Sequence, residues 1–209
     1  GPATAINENG GCVRISFDID DTLICDSSVP TEQHVAWWRR WRYPERLRRG
    51  TRSLMTALIR RRCKIWIYTS SGRCPRYLKS WFASFGIPVE GIVNLDRHER
   101  TVGLRGPSKF PPAFGIDLHV DDSLGVAMEG ADHRFPVLVV APHDSDWVER
   151  VLSEVDARIG SNAHWRARQF ISNRSFDAKR IFRDCLVRLS LSDHQYPAYV
   201  VGDTKPDPA

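Results

Sequence analysis

The run Ser16-Phe17-Asp18-Ile19-Asp20-Asp21-Thr22-Leu23-Ile24 gathers three carboxylates and a hydroxyl into five residues, directly after the alternating apolar positions Val13, Ile15 and Phe17. Such alternation reads as a β-strand, and this one runs into a concentration of negative charge. Residues i and i+2 of an extended chain project to the same side, so Asp18 and Asp20 can share one site while Asp21 points elsewhere. Two carboxylates held close together repel and raise one pKa unless a cation or a shared proton relieves them. A hard metal with oxygen ligands is the natural tenant.

Further apolar runs follow in order. Lys64 to Tyr68 reads as a second strand ending in Thr69-Ser70-Ser71-Gly72-Arg73, and Gly91-Ile92-Val93-Asn94 centres a short third. Ile116 to Val120 is a fourth strand, ending in Asp121-Asp122-Ser123, and Pro136 to Ala141 is a fifth. Between them, helical spacing predicts one helix from Gly50-Thr51 through Leu54, Met55, Leu58 and Ile59, and another from Pro75 with Leu78, Trp81, Phe82 and Phe85 as a core stripe. Asp96 to Pro112 reads as loop. Asp144 or Ser145 is expected to cap a helix bearing Trp147, Val148, Val151, Leu152 and Val155. Apolar strands alternating with helices indicate βαβ units. The fold class is therefore α/β, a doubly wound, Rossmann-like parallel sheet of about five strands with helices on both faces.

The predicted organisation is an N-terminal tail over 1–12, an α/β core over 13–158 with a Trp/Arg-rich insertion near 27–49, and a helical C-terminal extension over 159–209. In that extension Ala178, Ile181, Phe182, Cys185, Leu186 and Leu189 line one side of a helix, expected to dock back onto the sheet or to serve a partner.

At 209 residues the chain is long enough for a real core. Its formal charge of +5 is unevenly placed: Arg39 to Lys64 holds eleven basic residues and one acid, Glu45, so that segment carries +10 and the rest −5. Phosphate-rich partners or a solvated helix face both explain such a segment. Trp37, Trp38 and Trp41, interleaved with Arg39, Arg40 and Arg42, either pack the insertion onto the body or stack on bases and bind phosphates. Cysteines at 12, 25, 63, 74 and 185 form no CxxC pair, which suits a reducing, cytoplasmic setting. No apolar run approaches the length of a membrane span and no signal peptide is recognisable. Gly1-Pro2 has the look of a tag-removal scar, which leaves targeting by an earlier native start open.

In an open parallel sheet the loops at the carboxyl ends of the strands form the ligand crevice. Asp18 to Thr22, Thr69 to Arg73, and Asp121 to Ser123 all belong to that edge. No GK[ST] ending is present around Gly103 to Lys109, so a nucleotide-driven kinase is disfavoured.

Asp18-Ile19-Asp20-Asp21-Thr22, Thr69, Lys109 and Asp121-Asp122 resemble the four motifs of the haloacid dehalogenase superfamily, in its capless, phosphatase-like branch, over residues 13–158. The resemblance implies that Asp18 is a nucleophile forming an aspartyl-phosphate and that Asp20 is a general acid and base. It also implies that Thr69 donates to a phosphoryl oxygen, that Lys109 offsets charge, and that Mg²⁺ is held by Asp18, the Asp20 backbone carbonyl and the acids Asp121 and Asp122. Asp122 is the favoured direct ligand, with Asp121 acting through water or orienting Lys109. Arg100 or Arg105 can supply the cation in place of Lys109. Ser70 and Arg73 are expected to bind substrate, and Thr22 to fix the loop. His119 is expected to turn away from the acids as a satisfied structural histidine.

The intervals of about 45 and 40 residues between motifs leave no room for a large cap, so the site is expected to be open, with the Trp/Arg insertion as a partial lid. An open site suits phosphate on a protein or a nucleic-acid end. The expected activity is Mg²⁺-dependent hydrolysis of exposed phosphomonoesters. The alternatives are a 5'-nucleotidase and a noncatalytic module binding nucleic acid or protein through Arg39 to Lys64.

Overall fold

The computed structural model describes residues 12–33 and 39–161. Trp37, Trp38 and the expected helix along Ala178 to Leu189 lie outside the described residues. The apolar runs form five strands, β1 (Arg14–Phe17), β2 (Lys64–Tyr68), β3 (Gly91–Val93), β4 (Leu118–Asp121) and β5 (Val137–Val139). They pair in parallel in the order β3-β2-β1-β4-β5. Six α-helices and one 3₁₀ helix (Pro111–Phe114) accompany them among the described residues, the α-helices being α1 (Arg39–Arg42), α2 (Thr51–Arg60), α3 (Pro75–Ser84), α4 (Leu95–Val102), α5 (Leu124–His133) and α6, which covers 147–161.

Strands covered on both faces need apolar residues at successive positions, and β2 illustrates why. Ile65 and Ile67 project into the larger core beside Ile15, Phe17, Leu58, Trp81 and Val151, while Trp66 and Tyr68 project oppositely, toward Val93, Phe114 and Ile116. Pairing Ile15 with Ile65 and Phe17 with both Ile67 and Val120 keeps the larger core in register across three strands. The opposite face of β1 and β4 is polar: Ser16 stands directly across from His119. The sheet order reverses between β1 and β4, and the crevice of an open α/β sheet opens at such a reversal.

Two local readings are corrected. Residues 95–102 form a helix where loop was expected. Asn94 caps it by accepting the Arg97 N–H, Asp96 sits in its first turn, and Gly103 ends it at φ 87. The segment LDRHERTV buries only His98, so capping stands in for the apolar stripe that would have announced it. The cap of α6 falls on Asp146, because Arg150 N–H donates to the Asp146 carbonyl; Asp144 instead accepts the Asp146 N–H just before the helix.

The described part of the 27–49 insertion lies on the core through Val29, Tyr43 and Leu47, and an isolated antiparallel bridge joins Thr31 to Arg48. It contains no separate cap domain. Trp41, by contrast, is 85% exposed, so packing does not account for this indole. The basic segment is also broken up. Arg48 is buried, with its guanidinium on the Ala141 and Asp144 carbonyls and over the Trp147 ring, while Arg61 pairs with Asp156 and Lys64 with Glu90.

Candidate active site

β1 delivers Asp18 to the crevice, its backbone N–H donating to the Val120 carbonyl at 2.9 Å. Lys109, 3% exposed, reaches in from the loop before β4 and places Nζ 2.5 Å from Asp18 Oδ1. Arg100 and Arg105 are exposed, so Lys109 is the cation at this carboxylate. Burial pushes the Asp18 carboxyl up to about 6, against the opposing pull of Lys109. Asp18 is thus a desolvated carboxylate with one oxygen committed to Lys109.

The Lys109 loop is fixed at several points. Nζ also donates to the Tyr68 carbonyl at 2.8 Å. The Tyr68 hydroxyl accepts the Phe110 N–H at 2.9 Å and meets His98 Nδ1 at 2.5 Å, which leaves its own proton for the imidazole. Burial raises this phenol to about 12 and lowers His98, so both are neutral at ordinary pH. Glu129 of α5 holds Ser108 through its N–H and hydroxyl.

On the same face, Ser16, His119 and Asp121 form a buried polar chain. His119 Nδ1 is 2.8 Å from Ser16 Oγ, and Nε2 is 2.9 Å from Asp121 Oδ2. Burial lowers the His119 pKa, while burial pressing Asp121 upward is outweighed by its His119 bond and by Lys109, leaving that carboxyl below its ordinary range. An ionised carboxylate only accepts, so Nε2 carries the proton and Nδ1 accepts from Ser16. The expectation that His119 turns away from the acids is therefore corrected. Residues 119 and 121 are i and i+2 on one strand and share a face; the neighbour that points away is Val120. His119 is nonetheless satisfied on both nitrogens, and Ser16, which makes β1 unexpectedly polar, is its partner.

Asp121 Oδ2 lies 3.9 Å from Lys109 Nζ, so the polar chain extends to Asp18. Asp122 is raised by burial and by Asp121, and Thr22 donates to its Oδ1 at 3.3 Å. Thr22 thus steadies Asp122 across the crevice. Asp21, at φ 58, turns the chain so that Leu23 and Ile24 both donate to the Ile19 carbonyl.

Thr69, 1% exposed, follows β2 directly; Ser71 N–H donates to its hydroxyl at 3.1 Å, and Ser70 is exposed. Asp20 is half exposed and held apart from Lys109. Arg73 Nη1 and Nη2 each donate to one of its oxygens at 2.8 Å. The same guanidinium reaches Glu45 at 2.8 Å, and Tyr77 OH donates to Glu45 Oε2 at 3.4 Å. Four of the five N–H donors of Arg73, expected to face substrate, are thus taken by Asp20 and Glu45. Glu45 joins the site only because the insertion folds back over α3.

Among the described residues no three carboxylate, imidazole or thiol side chains gather tightly enough to cage a metal by themselves. A site built on the Asp18 and Asp122 carboxylates and a backbone carbonyl needs no such cage. The Asp20 carbonyl would be available to such a site: the bridge between 20 and 24 uses Ile19 O and Asp21 N–H, and neither bond occupies Asp20 O. Two raised carboxyls and a carbonyl are an all-oxygen donor set that would suit Mg²⁺, which keeps several of its waters.

No family model matches the chain, and no curated protein does. Among solved structures, it is similar to a chain of the Pnkp1/Rnl/Hen1 complex, at 12% identity and a TM-score of 0.41, covering 67% of this chain and 50% of that one. A chain of the Pnkp1/Rnl/Hen1 RNA repair complex matches at 11% identity and a TM-score of 0.41, over 65% and 44%. The chain spans about half the length of the structures that it matches.

Proposed function

We propose that this protein is a Mg²⁺-dependent phosphatase of the haloacid dehalogenase type, hydrolysing exposed phosphomonoesters on macromolecules through an aspartyl-phosphate. The observation that carries the reading is the buried Lys109–Asp18 pair at 2.5 Å, set where Thr69, Asp121 and Asp122 share the crevice edge. A structural ion pair needs neither two further acids nor a hydroxyl at matching strand ends.

Lys109 holds Oδ1 of Asp18 and leaves Oδ2 to attack phosphorus; the bond to the leaving oxygen breaks as the new one forms. Asp20 gives that oxygen its proton and then takes one from the water that hydrolyses the acyl phosphate. Thr69 donates to a nonbridging oxygen, and His119 holds Asp121 so that Lys109 keeps its place. The Asp18 and Asp122 carboxylates and the Asp20 carbonyl would hold Mg²⁺, which would supply positive charge against the phosphoryl oxygens. For Asp20 to act, Arg73 must release at least one of its oxygens, and an arriving phosphate is the competing acceptor for that guanidinium.

The reading is tested by hydrolysis of an aryl phosphate by metal-free protein titrated with Mg²⁺, alongside Asp18→Asn. Turnover that requires the cation and is abolished by the substitution is expected. Equal turnover by Asp18→Asn, or turnover indifferent to chelation, would contradict it.

A further inference from the structure

We propose that Trp41, with the cations Arg42, Arg46, Arg76 and Lys79, forms a stacking and backbone-tracking surface for single-stranded nucleic acid whose terminal phosphate enters the Asp18 site. The inference rests on the phosphatase reading and names its substrate class.

Trp41 is the most exposed large apolar side chain among the described residues, at 85%. It lies on α1, and the chain that follows is pinned at alternate positions. Tyr43 is buried against α3, its hydroxyl 2.7 Å from Ser80 Oγ and its ring 5.7 Å from that of Tyr77; Glu45 grips Arg73. Arg42 and Arg46, which flank these anchors, are both exposed, and Arg42 also donates from Nε to the Tyr43 hydroxyl at 3.3 Å. On α3, Tyr77 and Ser80 meet the insertion, which leaves Arg76 and Lys79 exposed at the border of the same seam.

None of these four cations pairs with an acid of another described residue; Glu45, the acid closest in sequence, is taken by Arg73. The surface therefore combines an exposed indole with positive charge that no acid of a described residue neutralises. It is also continuous with the site. Glu45 binds Arg73 and Arg73 binds Asp20, so Trp41 stands four residues, at most about 14 Å of chain, from the group that touches the site.

This chemistry favours nucleic acid over a phosphoprotein. Arginines alone serve a phosphorylated or acidic peptide, and an indole that stands 85% exposed, outside any groove of its own, offers a flat face that suits a base better than a peptide side chain. Every base offers a π-face to an exposed aromatic ring, and the cations follow the phosphates between bases. Binding is expected to weaken with salt, with a slope of about −0.7 for each phosphate neutralised on a single strand.

The test compares kcat/KM on terminally phosphorylated single-stranded oligonucleotides of increasing length, a phosphopeptide of similar length, a mononucleotide and an aryl phosphate. The oligonucleotide is expected to be preferred, increasingly with length and decreasingly with salt. Trp41→Ala should lower the ratio of oligonucleotide to aryl phosphate turnover about 5- to 100-fold, as base stacking predicts, and Trp41→Phe should retain most of it. Arg42→Glu with Arg46→Glu should flatten the salt dependence. Oligonucleotides used no better than the mononucleotide or phosphopeptide, or a ratio unmoved by Trp41→Ala, would overturn the proposal. If aryl phosphate is not hydrolysed at all, the phosphatase reading fails separately. Fluorescence anisotropy of a labelled oligonucleotide then decides the surface: salt-sensitive binding lost in Trp41→Ala supports it, and binding unaffected by that substitution overturns it.

Discussion

Arg73 takes both carboxylate oxygens of Asp20, each at 2.8 Å, and thereby ties the second acid of the first strand's end to the insertion through Glu45. The two side chains are 23% and 52% exposed, so solvent screens the pair and it is worth at most about 1 kcal/mol. Asp20→Asn should therefore remain folded. Its turnover should fall about 10²- to 10⁴-fold on an alkyl phosphate, whose leaving oxygen needs a proton, and far less on a good aryl leaving group. Equal losses on both substrates, measured as kcat, would remove Asp20 from the proton transfer.

Asp18 makes a prediction about pH and stability in the metal-free protein. Its carboxyl is raised by burial to about 6 from 3.8. Between those values the folded state holds more protons than the unfolded state, so this group's contribution to stability falls as pH rises through the window. Asn mimics the protonated acid and does not titrate. The melting temperature of Asp18→Asn relative to wild type should rise from pH 4 to pH 7 in chelator. A constant difference would mean that Asp18 is not desolvated.

His119 tests the buried polar chain. His119→Leu leaves Asp121 and Ser16 without their partner, and an unsatisfied buried group costs about 1–3 kcal/mol. His119→Gln can return a donor to Asp121 and should recover part of the loss. Urea unfolding midpoints at constant m-value measure both; equal destabilisation by Leu and Gln would show that volume, not the hydrogen bond, matters.

Gly91 marks a close approach. A Cβ there would lie 2.4–2.5 Å from the Trp66 ring, its register partner across β2 and β3. Gly91→Ala should destabilise by about 1–3 kcal/mol, as overpacking does, while Gly72→Ala, with open space around it, should be near neutral. Thermal melts of the two variants provide the comparison.

Much of the architecture was legible because strands are written as apolar patterns: IWIY and PVLVV are continuous runs, with Thr69 directly after the first, while Asp18 and Asp121 each follow three alternating apolar positions, Val13, Ile15 and Phe17 or Ile116, Leu118 and Val120. Lys109 was readable as a candidate but not as the choice over Arg100 and Arg105, since only the loop's anchoring through Tyr68 and Glu129 turns it inward. The α4 helix was hidden because capping by Asn94 and Gly103, not an apolar stripe, defines it. His119 shares a face with Asp121, two residues on, and not with its immediate neighbour Val120, so it meets an acid that it was expected to turn from. The Arg73 clamp unites residues 20, 45 and 73 from three separate segments, and local spacing contains no record of such a meeting.

Attack by Asp18 is the step on which every other role at the site depends. Protein mixed briefly with Mg²⁺ and an aryl phosphate, quenched in acid and digested, should yield a hydroxylamine-labile phosphoryl group on the peptide containing Asp18, located by mass spectrometry. Continued turnover with no phosphoryl group on Asp18, or with the label on another residue, would contradict it.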